Sequence, residues 1–503
     1  MSLLSFKLLV DTSEGVETVK GDTELNKGMI RIACEAPKGH IRELSAESVI
    51  DIADDEKIFV NGYQTWTHSP EFSVTDVQKT YGKKLPGALK NRFHFDSYGD
   101  LFFQKYSGKP GVFIGYSYCY IRKGNAFRLF ASLDEEPGYT VFTVDAAAGR
   151  LHISRDCRGV KCGGDLKAFE LFYAEGAEDE VFDAWFSAME LKPRTSEKLA
   201  GYTSWYNRYN KIDEKCLLSD LEGAEKVLKK GDLFQIDDGW QTAVGDWLSI
   251  REDRFPSGLR AFTDKIHGKG FRAGLWLAPF GAQESSELYK KHPDWVLRPG
   301  GKPWCAGVNW GPFYGLDIDN AEFVEYLEKV FRTVTQDWNF DFVKLDFLYA
   351  AAPYGTEEES RAGRMIRAMK LIRRICGDKL MLGCGVPLMP AFGLADYCRI
   401  GCDVGPDWDS TALMRMTHRE RVSTKNSIED TTFRRQLNGR AFMNDPDVFF
   451  LRDENCKLTE EEKKLLYTAN ASYGGLLLTS DDMNKWDEAK KETYKNIRKM
   501  FGA

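Results

Sequence analysis

The strongest constraint on the fold lies in the second half of the chain, where strand-like and helix-like segments alternate from about residue 200 onward. Helix-like stretches at residues 320–338, 357–376 and 458–469 separate strand-like ones, and residues 486–500 form a last helix-like stretch. Alternation of this kind predicts a parallel sheet whose crossover helices cover its faces. Eight strand–helix units predict a closed (β/α)8 (TIM) barrel rather than an open sheet. The eight predicted strands are residues 201–207, 232–237, 271–278, 341–346, 379–384, 397–403, 440–444 and 474–480.

The first 190 residues follow a different pattern, made of short runs rich in aromatic and β-branched residues and separated by turn clusters. This pattern is typical of an antiparallel β-sandwich. Residues 180–191 are helical in pattern, and residues 192–196 read as a linker. A chain of 503 residues is long enough for two cores. We therefore predict an α/β protein with an N-terminal β-sandwich domain (1–190) and a barrel domain (198–503). The predicted sandwich strands are residues 1–10, 57–66, 111–120, 127–133, 140–144, 151–154 and 168–173.

Composition narrows the classes of partner and the compartment. The net charge of −7 at pH 7 provides no electrostatic footprint for nucleic acid or for an anionic membrane. No segment approaches the roughly 18 apolar residues of a membrane span. The short apolar start runs into a polar turn and reads as a strand, not a secretory signal. Eleven cysteines without a CxxC pair indicate reduced thiols, so the sequence predicts a cytoplasmic protein. The weak net charge suits a neutral substrate.

Charged side chains gather where the predicted barrel strands end. Chemistry in (β/α)8 barrels takes place at that face, so these residues are the first candidates for a site. A lone aspartate at a strand end is often a turn former or a helix N-cap, and Asp319-Asn320 is interpreted as such a cap. Burying many charges together without a ligand would cost several kcal/mol, which favours a functional site. The candidates are Asp237, Asp238, Trp276, Lys344, Asp346, Arg399 and Asp403.

Strand alternation places Lys344 and Asp346 on the same side of the fourth barrel strand. A lysine beside a carboxylate favours its ionised form, which a nucleophile at an anomeric carbon needs. Asp403, two strands away, is a second carboxyl that could protonate a leaving oxygen. Retaining and inverting glycosidases differ in the distance between these carboxyls, about 5 Å against about 6.5–9.5 Å, so the sequence leaves the stereochemistry open. A structural Lys344–Asp346 ion pair is the alternative reading.

Seven motifs, in this order, resemble those of glycoside hydrolase family 36, the melibiase-type α-galactosidases. The resemblance extends from about residue 55 to the C-terminus, and the order and spacing of the motifs make it specific. The motifs are Asn61-Gly62-Tyr63-Gln64-Thr65-Trp66, Ser204-Trp205-Tyr206-Asn207, Ile236-Asp237-Asp238-Gly239-Trp240, Lys344-Leu345-Asp346-Phe347, Gly383-Cys384-Gly385, Arg399-Ile400-Gly401-Cys402-Asp403 and Asn444-Asp445-Pro446-Asp447.

The resemblance implies a retaining α-galactosidase that releases α-linked galactose from melibiose-type or raffinose-type oligosaccharides, without metal or cofactor. It implies that Asp346 is the nucleophile and Asp403 the general acid/base. Two further acids, Asp445 and Asp447, are expected to brace the site from behind, and Asp407 and Asp409 are rival acids on nearby loops. The substrate-binding set implied is Asp237 and Asp238 (4- and 6-hydroxyls), Lys344 (3- or 4-hydroxyl), Cys384 and Arg399 (near the 2-hydroxyl), Trp205, Tyr206 and Trp276 along the sugar, and Trp66 reaching over from the β domain.

Other classes fit the sequence less well. The seven histidines form no HxH or HExxH pair, which disfavours a metal-dependent hydrolase. The glycine pair Gly474-Gly475 lies at the start of the eighth strand, not in a phosphate-binding loop after it. An α-galactosyl transglycosylase and an α-N-acetylgalactosaminidase remain open. The chain ends with the barrel and its β domain is short for the family, so the oligomeric state is also open.

Overall fold

The computed structural model describes residues 3–81, 94 and 96–502. An antiparallel β domain precedes a curled, mainly parallel sheet of nine strand segments, consistent with the predicted (β/α)8 barrel. The strands of the β domain are β1 (Leu3–Thr12), β2 (Gly15–Glu24), β3 (Gly28–Val49), β4 (Lys57–Val60), β5 (Glu71–Ser73), β6 (Val112–Tyr116), β7 (Tyr118–Lys123), β8 (Ala126–Ser132), β9 (Tyr139–Asp145), β10 (Arg150–Asp156) and β11 (Lys161–Ala177).

The β domain is one continuous sheet folded over on itself. Its strands run in the order β5-β4-β7-β8-β11-β3-β10-β9-β6, with β1 and β2 branching from β3. Phe72 on β5 and Phe113 on β6 belong to opposite ends of that order, yet their rings stack 4.5 Å apart. The same core contains Ile58 from β4 and Phe142 from β9, all fully or almost fully buried. The two layers expected of a sandwich are therefore the two halves of one sheet.

Two predicted strands of this domain are shorter than expected. The segment 57–66 is a strand only over Lys57–Val60, and residues 61–70 leave the sheet as a loop that contacts the barrel. The segment 111–120 divides at Ser117, whose φ of 67° is in the left-handed region and turns the chain between β6 and β7. Strands β2 and β3 were not predicted. β2 has no buried residue, and the buried positions of β3 alternate with exposed, mainly polar ones, so the apolar signal of burial is missing from β2 and incomplete in β3.

The barrel sheet consists of short parallel strands joined by helices that begin and end as local sequence dictates. The helix Ala321–Arg332 starts where Asn320 Oδ1 accepts the backbone N–H of Phe323 at 3.1 Å, which confirms the predicted cap. The barrel strands are β12 (Leu199–Thr203), β13 (Leu233–Ile236), β14 (Arg272–Leu277), β18 (Phe342–Leu345), β19 (Leu380–Gly383), β20 (Tyr397–Arg399), β21 (Met443–Asp445), β22 (Val448–Phe449) and β23 (Leu476–Thr479), and β15 (Gly281–Gln283), β16 (Cys305–Gly307) and β17 (Phe313–Gly315) form a separate small sheet.

The helix Glu178–Ala188 packs on the β domain, and the other α-helices cover the outside of the barrel or lie in its loops. The helix Ala321–Arg332 buries Phe323, Leu327, Val330 and Phe331, a spacing that places one apolar face against the sheet. The described α-helices are Glu178–Ala188, Trp205–Arg208, Glu214–Glu225, Gly258–Gly268, Glu287–Lys291, Ala321–Arg332, Arg361–Cys376, Leu388–Ala391, Ala412–Thr417, Thr424–Phe433, Glu460–Tyr473 and Glu488–Phe501.

The seventh barrel strand is interrupted, and both of its pieces join the sheet. β21 pairs with β20 of the sixth unit, whereas β22 pairs with β23 of the eighth. Pro446, which has no N–H to donate, and Asp447, with a φ of 72°, separate the two pieces. The N–H of Gly475, just before β23, donates to the carbonyl of Asn444 on β21 at 2.7 Å. The sheet therefore closes around the seventh strand, and the interruption turns Asp447 inward.

The loop at residues 61–69 is fastened to the barrel by one buried arginine. Arg434, completely buried after the helix Thr424–Phe433, donates to Asn61 Oδ1 at 3.0 Å, to the carbonyl of Thr65 at 2.9 Å and to Ser69 Oγ at 2.8 Å. It also donates to the carbonyl of Ile400 at 2.8 Å, next to strand β20. The guanidinium therefore satisfies loop and barrel acceptors that would otherwise be buried without partners.

We predict that Arg434→Ala destabilises the protein by about 3 kcal/mol, because it leaves several buried acceptors unpaired. Arg435→Ala is the matched control. This neighbouring arginine forms a part-exposed ion pair with Glu178, and its removal should cost within about 1 kcal/mol. Urea unfolding of both variants measures the loss in the free energy of unfolding. Equal losses in the two variants would contradict the view that Arg434 fastens the loop at residues 61–69 to the barrel.

Candidate active site

A pocket of about 380 Å³ opens at the carboxyl ends of the barrel strands, and we call this face the rim. The barrel supplies its floor, while Trp66 and Tyr98 of the β domain form part of its wall. Eleven residues were predicted to form the site. Eight of them line the pocket: Trp66, Trp205, Asp237, Asp238, Trp276, Lys344, Asp346 and Asp403. The other three are not part of the lining: Cys384 contacts Trp66 and Arg399 contacts Asp403 of it, whereas Tyr206 bonds Asp447 behind it.

Asp346 directly follows β18 and is held by two donors. Trp276 Nε1 donates to Oδ2 at 3.0 Å and the backbone N–H of Phe347 donates to Oδ1 at 3.0 Å. Phe347 has a φ of 53°, which is an unfavourable conformation for an aromatic residue. This conformation directs the N–H of Phe347 at the carboxylate of Asp346. Burial raises the pKa of Asp346, against the lowering effect of Lys344, and the charge of Asp403 raises it further. The two hydrogen bonds favour the ionised form.

Lys344 forms its direct ion pair with the second strand's aspartate. Its ammonium lies 3.0 Å from Asp237 Oδ2. Burial alone would lower the pKa of Lys344, but the carboxylates of Asp237 and Asp346 outweigh burial and raise it. The sequence placed Lys344 and Asp346 on one side of strand four. The structure adds that Lys344 bonds Asp237 and acts on Asp346 through its charge.

Asp237 and Asp238 end β13 with their carboxylates held in different ways. Asp237 Oδ2 accepts Gln235 Nε2 at 2.8 Å in addition to Lys344. Asp238 accepts Gln241 Nε2 at 2.6 Å and Trp310 Nε1 at 2.7 Å, and burial raises its pKa. Gly239 next to them has a φ of 118°, and a Cβ there would approach the carbonyl oxygen of Asn210 to 2.7 Å. The turn therefore needs glycine, while the two aspartates face the pocket.

Asp403 differs from Asp346 in exposure. Its side chain is 37% exposed, and Oδ1 accepts Arg399 Nη1 at 2.8 Å. The predicted sixth strand, 397–403, stops at Arg399, because its ladder with β21 stops there, and Asp403 lies on the following loop. Arg399 itself is buried, with Nε 2.9 Å from Asp445 Oδ2 and Nη2 3.0 Å from Asp447 Oδ1. Asp346 is thus shielded from water, whereas water can reach Asp403.

Trp66 joins the β domain to the barrel at the pocket wall. Its Nε1 donates to Cys384 Sγ at 3.2 Å. Gly385 has a φ of 59°, and a Cβ at this position would lie 2.7 Å from the indole. Burial raises the pKa of the Cys384 thiol well above its usual value. Cys384 is therefore a neutral thiol behind Trp66.

The search of strand ends missed several pocket residues because they lie on long loops. Trp310 and Asn309 belong to the excursion after β14 that contains the small sheet, and Trp310 bonds Asp238. Tyr98 donates its hydroxyl to Asn309 Oδ1 at 2.7 Å and accepts the N–H of Val308 at 2.9 Å. The loop after strand six contributes Glu420 and other residues to the wall. No periodic pattern in the sequence identifies such loop positions.

The rival acids lie outside the pocket lining. Asp407 pairs with Lys457 at 2.9 Å, and Asp409 forms two 3.0 Å hydrogen bonds with Arg421. Within the described parts of the chain, no group of three or more His, Cys, Asp and Glu side chains could hold a metal ion. The same residues include no helix of the length and apolarity that crossing a membrane requires.

Among the carboxyls of the pocket, Asp346 and Asp403 have unlike surroundings, and hydrogen-bonding groups lie beside Asp346. Asp346 is buried and bonded by donors that favour its charge, whereas Asp403 is exposed enough to exchange a proton with water. A pair of this kind suits displacement at an acetal carbon. Asp237, Asp238 and Lys344 provide acceptors and a donor for the hydroxyls of a sugar, and the tryptophans provide apolar faces.

Comparison with known proteins agrees with this chemistry. The family model "Melibiase" matches residues 200–370. The α-galactosidase Mel36A of Lactobacillus acidophilus is 30% identical over 151 residues, 28% of this chain and 20% of its own length. The "A type blood α-D-galactosamine galactosaminidase" of Flavonifractor plautii is 28% identical over 174 residues, 30% of this chain and 16% of its own length. The matched segments of the first curated relatives span about a fifth of those proteins.

Solved structures match over nearly the whole chain. The α-galactosidase TtGalA of Thermus thermophilus, in complex with p-nitrophenyl α-D-galactopyranoside, superposes with a TM-score of 0.76 at 28% identity, covering 98% of this chain and 94% of that one. The family 36 α-galactosidase AgaA of Geobacillus stearothermophilus shares the fold, with a TM-score of 0.61 at 15% identity over 99% of this chain and 69% of that one. Residues 200–370 of the chain therefore match a melibiase domain, and the solved structures that the chain resembles are α-galactosidases, among them members of glycoside hydrolase family 36.

Proposed function

We propose that this protein is a retaining α-galactosidase that hydrolyses terminal α-linked galactose from oligosaccharides, with residues 198–503 as the catalytic domain. The observation that carries the proposal is the arrangement of Asp237, Asp238 and Lys344 beside Asp346 at one end of the pocket. The double-displacement stereochemistry rests on the family that the chain resembles and on the different surroundings of Asp346 and Asp403.

In the first step an Asp346 oxygen attacks the anomeric carbon and forms a C–O bond while the bond to the leaving oxygen breaks. Asp403 gives its proton to that oxygen. In the second step Asp403 accepts a proton from water, the water oxygen bonds to the anomeric carbon, and Asp346 leaves as a carboxylate. The exposure of Asp403 suits both proton transfers, because water reaches it once the aglycone has left.

Galactose selectivity would come from the acceptors that face the sugar. Galactose differs from glucose in its axial 4-hydroxyl, and buried acceptors placed for that hydroxyl reject the epimer by being left unpaired. Asp237 and Asp238 would bind the 4- and 6-hydroxyls, and Lys344 the 3- or 4-hydroxyl. Trp205 and Trp276 would pack on the sugar, and Trp66 would close the pocket beside it. Cys384, Arg399 and Tyr206 would act from behind the lining.

Two other activities compete with α-galactoside hydrolysis, and a relative supports one of them. The Flavonifractor plautii relative is a galactosaminidase, which keeps α-N-acetylgalactosaminidase activity as a candidate. Trp66 and Cys384 are in contact where a 2-acetamido group would need room, which favours the galactosidase. A transglycosylase would use the same carboxyls and would be recognised by transfer of galactose to an added sugar rather than to water.

Melibiose-type and raffinose-type α-galactosides are the proposed substrates. A second structure of TtGalA contains stachyose, and one of the AgaA structures contains raffinose. All eleven cysteines are free thiols, which supports a reducing compartment such as the cytoplasm.

The stereochemistry is tested by an NMR time course on an aryl α-galactoside. We expect α-galactose as the first product, because two displacements at one carbon restore its configuration. First-formed β-galactose would remove Asp346 as nucleophile. Repeating the time course with added sugar acceptor measures the ratio of free galactose to transfer product, and mainly transfer would favour the transglycosylase.

We predict that Asp346→Ala lowers kcat on the aryl galactoside by at least about 10⁴-fold, because no covalent intermediate can form. The melting temperature should not fall, since the change removes a buried carboxylate whose pKa burial raises. Asp341→Ala, at the opposite end of strand four and bonded to His267 at 2.8 Å, is the control and should retain activity. Substantial turnover by Asp346→Ala would exclude the assigned role.

Asp403→Ala should impair melibiose hydrolysis far more than aryl galactoside hydrolysis. A poor leaving group needs its oxygen protonated in the first step, whereas a nitrophenolate leaves without help. We expect the ratio of the two kcat/KM values to change by about 10²-fold or more. Equal losses on both substrates would count against Asp403 as the acid, and an added azide nucleophile that restores aryl turnover would support it.

A further inference from the structure

Arg399 connects the exposed Asp403 to two fully or almost fully buried carboxyls. The single guanidinium bonds Asp403, Asp445 and Asp447 at 2.8–3.0 Å through three different nitrogens. One positive charge thus serves three carboxyls in a region shielded from water. How strongly Arg399 stabilises the ionised form of Asp403 therefore depends on the charge of the other two.

Asp447 has a second link to Asp403 that Asp445 lacks. Its Oδ2 accepts the backbone N–H of Val404, the residue after Asp403, at 2.9 Å. The same oxygen accepts the hydroxyl of Tyr206 at 2.5 Å. Tyr206 belongs to the short helix Trp205–Arg208 after β12, on the opposite side of the seventh strand's interruption. Asp447 is therefore held from three directions and touches both the arginine partner and the backbone of Asp403.

The backbone at Asp447 indicates that this placement is imposed on the chain. Its φ of 72° lies in the left-handed region, which costs roughly 1–3 kcal/mol for a residue with a side chain. Such strain persists where surrounding contacts require it, and here the interruption between β21 and β22 turns the carboxylate toward Arg399. Asp445, one residue before Pro446, continues the strand without that strain.

We propose that Asp447, held by Tyr206, is a positioning residue that aligns Asp403 for its acid role and sets the pH range of that role by sharing Arg399 with it. The proposal rests on the proposed function, since it assumes that Asp403 is the acid. While Asp447 is ionised, it competes for Arg399 and adds a negative charge near Asp403. Both effects oppose the loss of acid catalysis as the pH rises.

Other titratable groups lie near Asp403 and Asp447 and contribute to the electrostatic potential at both. Burial raises the pKa of Asp447 to about 6, with Arg399 lowering it and Asp403 and Asp445 raising it. The titratable groups whose charges act on Asp403 or Asp447 from neighbouring elements are Tyr206, Lys344, Asp346, Cys384, Arg399, Cys402 and Asp445.

The test is the pH profile of kcat/KM on melibiose, whose leaving group needs the acid. Asp447→Asn removes one negative charge and frees Arg399 for Asp403, so the alkaline limb should move about one unit to lower pH. Tyr206→Phe removes a hydrogen bond that favours ionised Asp447 and should move the limb the same way by a smaller amount. An unmoved limb in both variants, with activity reduced equally at every pH, would reduce Asp447 to a structural brace and overturn the proposal.

A second Tyr–Asp–Arg set in the same chain provides the matched control. Asp220, buried and outside the pocket lining, accepts the hydroxyl of Tyr202 at 2.8 Å and Arg208 Nη2 at 2.7 Å. Arg208 belongs to the same short helix as Tyr206, so Asp220→Asn disturbs that helix without touching Arg399. Its pH limb should stay in place, and a shift as large as that of Asp447→Asn would overturn the proposal.

The outcomes distinguish a failure of the role proposed for Asp447 from a failure of the proposed function. If Asp447→Asn does not fold, Tyr206→Phe decides, because a limb that stays at the wild-type pH in that variant overturns the proposal. A wild-type protein that hydrolyses neither melibiose nor an aryl α-galactoside would remove the proposed function and this inference with it. If the wild-type protein is active but the alkaline limbs of both variants stay at the wild-type pH, only this inference is overturned.

Discussion

Two buried cations allow the rim to hold its aspartates close together. Lys344 pairs with Asp237 and acts on Asp346, and Arg399 bonds Asp403, Asp445 and Asp447. Buried carboxylates without such partners would take up protons or destabilise the fold. Each cation comes from a barrel strand, so the strand framework fixes its position. The chemistry proposed for the pocket depends on this sharing of charge.

The pocket is not completed by the barrel alone. Trp66 reaches it from a loop of the β domain, and Arg434 fastens that loop with hydrogen bonds to both domains. The loop leaves the sheet directly after β4, where the sequence pattern of a strand continues to residue 66. Tyr63 there packs on Tyr116 and Tyr139 of the β domain, and Trp66 packs against the barrel. Both are buried without belonging to a strand, which explains why they resemble strand residues. The β domain therefore has a direct part in forming the site.

Much of the site followed from the sequence because strand ends in a barrel converge. Asp237 and Asp346 directly follow strands and Lys344 is the last but one residue of a strand, and the structure brings them together at one face. Trp310 and Tyr98 were missed because they lie on loops whose paths no local pattern records. Arg399 and Cys384 were placed beside the sugar by family resemblance. In the structure they lie behind the lining, where Arg399 holds acids and Cys384 accepts the indole N–H of Trp66.

By itself the sequence determined the alternation of strands and helices, the antiparallel character of the first domain and the identity of the rim aspartates. These features depend on local periodicity and on which residues follow each strand. Only the tertiary structure decided the partners of those residues. Lys344 bonds Asp237 rather than Asp346, and the interrupted seventh strand brings Asp447 to Arg399. Such pairings join residues roughly fifty to over a hundred positions apart, and their energies depend on burial and distance, which a linear pattern does not contain.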